Sequence, residues 1–510
     1  MILISFFCVL LLILNPALIY VFRKLEINLQ KYQFWMMVST GIVWIGSLFA
    51  FLLDPAHTLN LAWDVGSQLL PTTVFTLDNF SSSLILAINS ILFAAALFQE
   101  YSPQQLAWLS GLGGICNLGL LADSPYTLLL ILALVELILI INFITSADRS
   151  ETTRRKMMAI IARLLIPFLV LLATFGSGIQ SSGGTFSSLI PEAGPVLIAA
   201  GFLSSLGWVG FLRGRVKNSP ELIPRIYSEL LPGAIGLMLM LRGSMLVMRE
   251  NPGTLAQTVP AIIALSAAII GILIRESGKA WIISVLAIIA GSAILGTPQD
   301  GLAWGLVFLL PGFLLRRQTT NIKEVSLVLI LGSLGFLTLP FLPAWSGANI
   351  FGAGGQGYLY AAAYGLAGGA LLSGCVGKIV LKQLPSGTIR TPFIFGAANL
   401  ILTQFIIGFS TTLIDDSVNL GAFSFSSWIP GGIMVLFILI GYRLPELSTP
   451  FLDKGPDRLE IAFKGALSTS TGIIDQVINI LAGLFEGEGG LIWALLIAFL
   501  IISLISLGGG

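Results

Sequence analysis

One histidine, three cysteines and a thin scatter of acids and bases are all this 510-residue chain offers for chemistry. His57 has no nucleophile beside it in sequence, so nothing supports triad hydrolysis. Cys8, Cys116 and Cys375 are isolated inside apolar runs and read as small buried side chains. They give no metal-ligand spacing, and one histidine cannot supply a haem or zinc site. No glycine-rich loop ends in Lys-Ser or Lys-Thr; Gly352–Gly357 lacks the lysine and reads as a loop. A net charge of +1 invites no nucleic acid. Neither a cofactor nor a metal is expected, and no catalytic site is visible. What remains is a small set of ionisable groups placed in apolar sequence. Glu136, in Leu134-Val-Glu-Leu137, is the foremost of them. A carboxylate there is costly in lipid unless it has a function or a partner; the alternative is a protonated side chain bonded to helix backbone. Arg163 either pairs with Glu136 or snorkels to the surface near Lys156. Ser228 lies between Arg225 and Glu229, which form a surface ion pair or join a relay. Lys279 and Arg242 read as anchors at helix ends, Asp78 as a helix N-terminal contact or a subunit contact, and Asp415-Asp416 as a solvated turn.

The elements that must hold these residues are membrane helices. The chain is 56% hydrophobic and 10% charged, with mean hydropathy +0.95, against roughly 25% charged residues in a soluble domain. Apolar runs of about 18 or more residues recur from end to end, each long enough to cross about 30 Å of hydrocarbon as a helix. Helices satisfy their own backbone in lipid, whereas a barrel would need short alternating segments that are absent. The spacing predicts about sixteen spans, beginning near residues 2, 34, 76, 104, 125, 157, 194, 228, 257, 279, 301, 325, 357, 393, 427 and 490. Residues 1–22 carry no basic n-region and no cleavage site, and read as a retained first helix. Thr174 to Gly194 is rich in Gly and Ser and reads as a flexible outer loop. From Asp457 to Phe485, apolar residues at near-helical spacing suggest an amphipathic helix along the membrane surface or a neighbour. Backbone interruption is expected at Pro224–Pro232 and Thr338–Pro343.

The cations set the topology. Of the 26 basic residues, all but Arg163, Arg242 and Arg249 fall in or beside connections that follow odd-numbered spans. One missed or invented helix would scramble that alternation. The positive-inside rule then puts these connections in the cytoplasm and the N-terminus outside.

Several stretches resemble the antiporter-like subunits shared by respiratory complex I, energy-converting hydrogenases and Mrp-type sodium/proton antiporters. Phe75-Thr-Leu-Asp-Asn-Phe-Ser81 looks like that family's opening of the third helix, and Gly119-Leu-Leu-Ala-Asp123 like its fourth-to-fifth passage. Glu136 sits where the family carries a buried glutamate. Gly201-Phe-Leu-Ser-Ser205, the six-residue step from Gly236 to Arg242, and the twelve-residue step from Lys279 to Gly291 match its seventh, eighth and tenth helices. Gly332-Ser-Leu-Gly-Phe-Leu-Thr-Leu-Pro340 through Trp345-Ser346 is similar to its twelfth. The order and spacing of these stretches, over roughly residues 70–350, carry the resemblance.

The resemblance implies an all-α membrane fold with broken helices and two inverted five-helix repeats. The divisions expected are residues 1–103, a first repeat over 104–248, a second over 257–378, and C-terminal helices over 379–510 with the lateral helix at 457–485. It also implies neighbouring membrane subunits, which would carry any redox chemistry, and a proton path through Glu136, Arg163, Ser205, Ser228, Glu229 and Lys279. The family moves protons along buried lysines, histidines and a glutamate. Here Ser205 stands at the seventh helix's lysine, Ser228 and Ala234 at eighth-helix positions, Pro311 near the eleventh helix's lysine, and Gly347 or Ala348 at the twelfth's. A serine holds water but not charge near neutral pH. The leading reading is thus a diverged subunit of an ion-translocating complex with a degenerate lysine relay. A stand-alone transporter of an ion or inorganic carbon, and a non-conducting scaffold, remain as alternatives. A bacterial inner membrane is expected, with a thylakoid-type membrane as the alternative.

Overall fold

The computed structural model describes residues 2–24, 29–53, 57–61, 73–98, 101–146, 165–174, 185–206, 225–250, 254–274, 277–316, 322–381, 389–414 and 425–443. The expected lateral helix at 457–485, the last span near 490, Arg163 and the Asp415-Asp416 pair lie outside the described residues.

Helices dominate. In chain order they are α1 (Ile2–Lys24), α2 (Leu29–Leu52), α3 (Asn79–Phe98), α4 (Pro103–Leu121), α5 (Pro125–Ser146) and α6 (Leu165–Thr174). Then follow α7 (Ala193–Leu206), α8 (Arg225–Val247), α9 (Thr254–Ile274), α10 (Ser277–Leu295), α11 (Pro298–Arg316) and α12 (Ile322–Phe336). A short α13 (Pro343–Gly347) precedes α14 (Gly354–Leu381), α15 (Thr391–Ile414) and α16 (Ile429–Arg443). Every span expected between residues 2 and 427 has a described helix. Among the described residues, 7 helices are long and apolar enough to cross a membrane.

Large apolar side chains cover much of the described surface. α1 exposes Leu3 and Phe7, α2 exposes Phe34 and Phe49, and α15 exposes Phe395 and Phe409, while serines and asparagines face inward. Water would reverse this arrangement; lipid demands it. Association must then come from close packing and internal hydrogen bonds. Pro16 shows how the two combine. It has no N–H for the Leu12 carbonyl one turn earlier, and Ser110 Oγ of α4 donates to that carbonyl at 3.0 Å. Asn15 donates to the same Ser110 Oγ at 2.9 Å and to Ser39 of α2 at 3.2 Å. Trp35 Nε1 and Tyr32 Oη donate to the side-chain and backbone oxygens of Asn15. A potential defect in α1 thereby becomes the junction of α1, α2 and α4.

One feature is not helical. His57–Leu61 pairs antiparallel with Thr73–Leu77, with Thr58 opposite Thr76 and Asn60 opposite Val74. The third span therefore opens on a strand, and helix begins only at Asn79. Strand residue Phe75 bridges to Ala122 after α4, and Asp123 N–H donates to the Val74 carbonyl. Phe186 N–H donates in turn to the Asp123 carbonyl, and Arg249 after α8 donates to the Ser187 carbonyl. The connections after α2, α4, α6 and α8 thus meet at one end of the bundle, in keeping with the cation alternation. These contacts pin the second part of the segment expected to be a flexible loop: Phe186 is buried, and α7 has begun by Ala193.

The two expected interruptions differ. Pro232 lies inside a continuous α8, so the backbone does not break there, while Pro224 lies outside the described residues. The twelfth span does break between Phe336 and Pro343, where Phe341 takes φ 67°, a strained setting for a bulky residue.

Candidate functional site

Glu136 is held at the middle of α5, about 17 Å from its start at 1.5 Å per residue. It is 1% exposed. Cys116 of α4 lies within range of its charge. A carboxylate with so little access to water requires compensation from its surroundings. Its expected partner Arg163 lies outside the described residues. So do the side chains of Ser228, Glu229 and Lys279, although their backbones form the starts of α8 and α10.

Ser205 can be placed fully. Its hydroxyl donates to the Gly233 carbonyl of α8 at 2.9 Å, and Ser204 donates to the Pro232 carbonyl at 3.1 Å. α7 and α8 run antiparallel with Gly194 opposite Gly243 and Gly201 opposite Gly236, backbone against backbone. A Cβ at Gly201 would collide with the Gly236 carbonyl. Small residues permit this approach, and the serine hydroxyls use it to tie the helices together. Ser205 is brought to α8, not to another titratable group.

Two further positions matched to lysines, Pro311 and Gly347, are equally occupied. Pro311 of α11 packs over Gly335 of α12. At Gly347, the Trp304 indole lies where any Cβ would project, and its Nε1 donates to the Gly347 carbonyl at 2.9 Å. Beyond Ser205 the interior fills with rings. Phe308 sits close to Gly233; Trp281 stacks on Phe308 (5.8 Å, 8°) and on Phe336 (5.3 Å, 16°). Phe336 meets Tyr364, which meets Trp304 at 4.5 Å. Tyr364 Oη donates to the Phe336 carbonyl at 2.9 Å, at the break after α12. Stacked rings of this kind exclude water and carry no charge.

Charge reappears at the two ends. At the hairpin end, Arg242 of α8 donates to Asp78 and lies 3.7 Å from Asp123. Asp78 also caps α3, accepting from Ser81 N–H while Ser81 Oγ accepts from Asp78 N–H, both at 2.8 Å. Burial pushes the Asp123 carboxyl up; Arg242 opposes that rise and Asp78 adds to it. This triad answers two sequence expectations together, the helix contact for Asp78 and an end anchor for Arg242. That they would meet was not legible, because 164 residues separate them. At the opposite end, Arg390 before α15 grips the buried Glu324 of α12 with two bonds of 3.0 and 3.3 Å. Back at the hairpin end, Asp300 at the start of α11 accepts from Thr297 and from Asn349 Nδ2. Among the described residues, no group of three His, Cys, Asp or Glu could hold a metal ion.

No protein-family model matches the chain, and no curated protein matches it by sequence. Solved structures do match. A chain of the Mrp complex from Dietzia sp. DQ12-45-1b aligns over 99% of this chain with TM-score 0.63 at 13% identity. This chain covers 62% of that one's length. A chain of respiratory complex I from Thermus thermophilus aligns over 84% of this chain and 99% of its own, with TM-score 0.60 and 17% identity. A chain of the membrane-bound sulfane sulfur reductase, an archaeal respiratory membrane complex, aligns over 97% and 99%, with TM-score 0.62 and 12% identity. The fold is therefore that of antiporter-like membrane subunits. The chain is a multi-pass helical membrane protein built on that plan.

Proposed function

We propose that this protein is an antiporter-like subunit of a multisubunit proton- or sodium-translocating complex related to complex I or Mrp antiporters, with a degenerate lysine relay. The carrying observation is the likeness of nearly the whole chain to subunits of three such assemblies, at folds scored well above chance while sequence has diverged. Support for the degenerate relay comes from the interior. Ser205 is spent on a backbone carbonyl, Pro311 and Gly347 are covered by neighbours, and stacked rings run between them. In this reading Glu136, with Arg163, Ser228, Glu229 and Lys279, retains an incomplete first half-path. Residues 104–248 and 257–378 are the inverted repeats. The C-terminal residues, including the amphipathic segment 457–485, bind neighbouring membrane subunits. The N-terminus is outside, in a bacterial inner membrane.

Two experiments test this. Native purification should recover other membrane subunits with the chain; a homogeneous monomer or homodimer would favour a stand-alone transporter instead. Flux in liposomes, with the purified assembly, should fall when Glu136→Gln is introduced. Unchanged flux would remove Glu136 from the mechanism, and no flux in the unaltered assembly would favour a scaffold. The ring-filled second half makes that scaffold the stronger second reading.

A further inference from the structure

We infer that Gln404 of α15 binds an internal water molecule at mid-bilayer depth, between α11, α12 and α15. Gln404 lies about 20 Å along α15 from its start at 1.5 Å per residue. It is 1% exposed, and neither its amide oxygen nor its amide nitrogen has a hydrogen-bond partner. Exchanging the two atoms, which look alike, changes nothing, because both ends are in the same position. The amide rests over Gly335 of α12, one residue before that helix ends at the break, and Pro311 of α11 rests over the same spot. Pro311 lies inside α11. It has no N–H to give the Val307 carbonyl one turn earlier.

The chemistry of these groups selects the ligand. The amide oxygen wants a hydrogen-bond donor, while the amide N–H wants an acceptor. A metal cation would suit the oxygen but face the amide's hydrogens; an anion would suit the hydrogens but face the oxygen. Water both donates and accepts, so it serves both ends of the amide. An unfilled amide at this depth would be costly in hydrocarbon. Elsewhere among the described residues Asn399, Asn117 and Asn89 each have a protein partner, although Asn89 Nδ2 and Asn117 Oδ1 have none. Asn399 donates to Ser90 backbone and side chain, and Asn117 donates to Asn89 at 2.7 Å. Gln404 is the buried amide whose two ends both look to something other than protein among the described residues. The inference rests on the packing of three helices and stands whether or not the chain conducts.

Hydroxyl-radical footprinting of the full chain in its native assembly, in lipid nanodiscs with ¹⁸O-water, tests it. X-ray-generated radicals from a bound water oxidise adjacent side chains in place. Pro311 should acquire label despite its burial in the bundle, and Gln404→Met, similar in length but apolar, should reduce that label several-fold. The melting temperature gives a second, opposite-signed test. A dry amide is a pure cost, so Gln404→Met would raise Tm; a hydrated amide is satisfied, so the substitution should lower it. An unlabelled Pro311 in the unaltered chain, or a higher Tm in the variant, overturns the inference. The unaltered chain's footprint decides the matter alone if the variant does not fold.

Discussion

The two halves of the bundle solve the same problem, holding helices together in lipid, by different means. From α3 to α8 the interior keeps a buried carboxyl at Glu136, ties helices through serine-to-carbonyl bonds, and clamps one end with Asp78, Arg242 and Asp123. From α10 to α14 the interior is dominated by rings: Trp281, Phe308, Phe336, Tyr364 and Trp304. Hydrogen bonds fix position through direction, whereas rings fix it through shape and volume. The first half should therefore respond to pH and to loss of a partner atom, and the second to loss of bulk.

The largest effect is expected from Trp281→Ala. Trp281 is fully buried between two rings and against Gly312. Truncation should cost about 3–5 kcal/mol, the range for large aromatic residues in packed interiors. If the ring stack is what blocks the second half, liposomes carrying the variant should also dissipate an imposed pH gradient faster. A fall in Tm without extra leak would keep the packing role and remove the blocking one.

Next in size is Arg242→Met, which leaves Asp78 and Asp123 facing each other in a partly buried site. Breaking such a pair should cost about 3 kcal/mol at neutral pH. Its pH dependence follows from Asp123, whose carboxyl burial already pushes up. An acid raised in the folded state stabilises while protonated. That contribution is present below the ordinary value of about 3.9 and fades as pH climbs through the folded value. Removing Arg242 removes the opposing pull and raises Asp123 further. The Tm deficit of the variant should therefore be widest at neutral pH and shrink on acidification. A deficit independent of pH would mean that the guanidinium acts by packing alone.

These residues also show how far sequence could reach. The spans were legible because lipid forces each helix to be apolar over a fixed length, and the cation alternation checked their parity. Glu136 was legible because a carboxylate in Leu-Val-Glu-Leu is conspicuous in any register. The Asp78–Arg242–Asp123 clamp, the Glu324–Arg390 pair and the Gln404 amide were not, since each is made by helices distant in the chain. Neither was the hairpin: His57–Leu61 and Thr73–Leu77 are short, and nothing in Thr-Val-Phe-Thr-Leu separates a strand from the first turn of a span. Pro232 was misjudged as an interruption for a related reason. A proline reports a missing N–H, but whether the helix breaks depends on what packs around it.

A smaller effect belongs to Arg390→Ala. The arginine is 43% exposed, so water weakens its attraction to Glu324, yet Glu324 itself is buried. About 1–2 kcal/mol is expected, between the exposed and fully buried limits. Because α12 and α15 run parallel from this pair towards Gly335 and Gln404, hydrogen exchange should rise along the start of both helices. A rise confined to α15 would show that Glu324 finds another partner.

The smallest effect, and the sharpest comparison of the halves, is at Ser205. Ser205→Ala removes one hydroxyl-to-carbonyl bond, worth about 1 kcal/mol in Tm-derived stability. The Gly233 carbonyl keeps its place within α8, so little else should change. Restoring a lysine is a different matter. Gly236 already lies against Ser205 Oγ, and Gly201 and Gly236 bring the two backbones together. A long cationic side chain at 205 has to separate α7 from α8 or turn away from the bundle. Ser205→Lys should therefore assemble poorly, where Ser205→Ala assembles normally. A well-folded lysine variant that gains proton flux would mean that the α7–α8 contact opens readily, and that a single residue keeps this half from conducting.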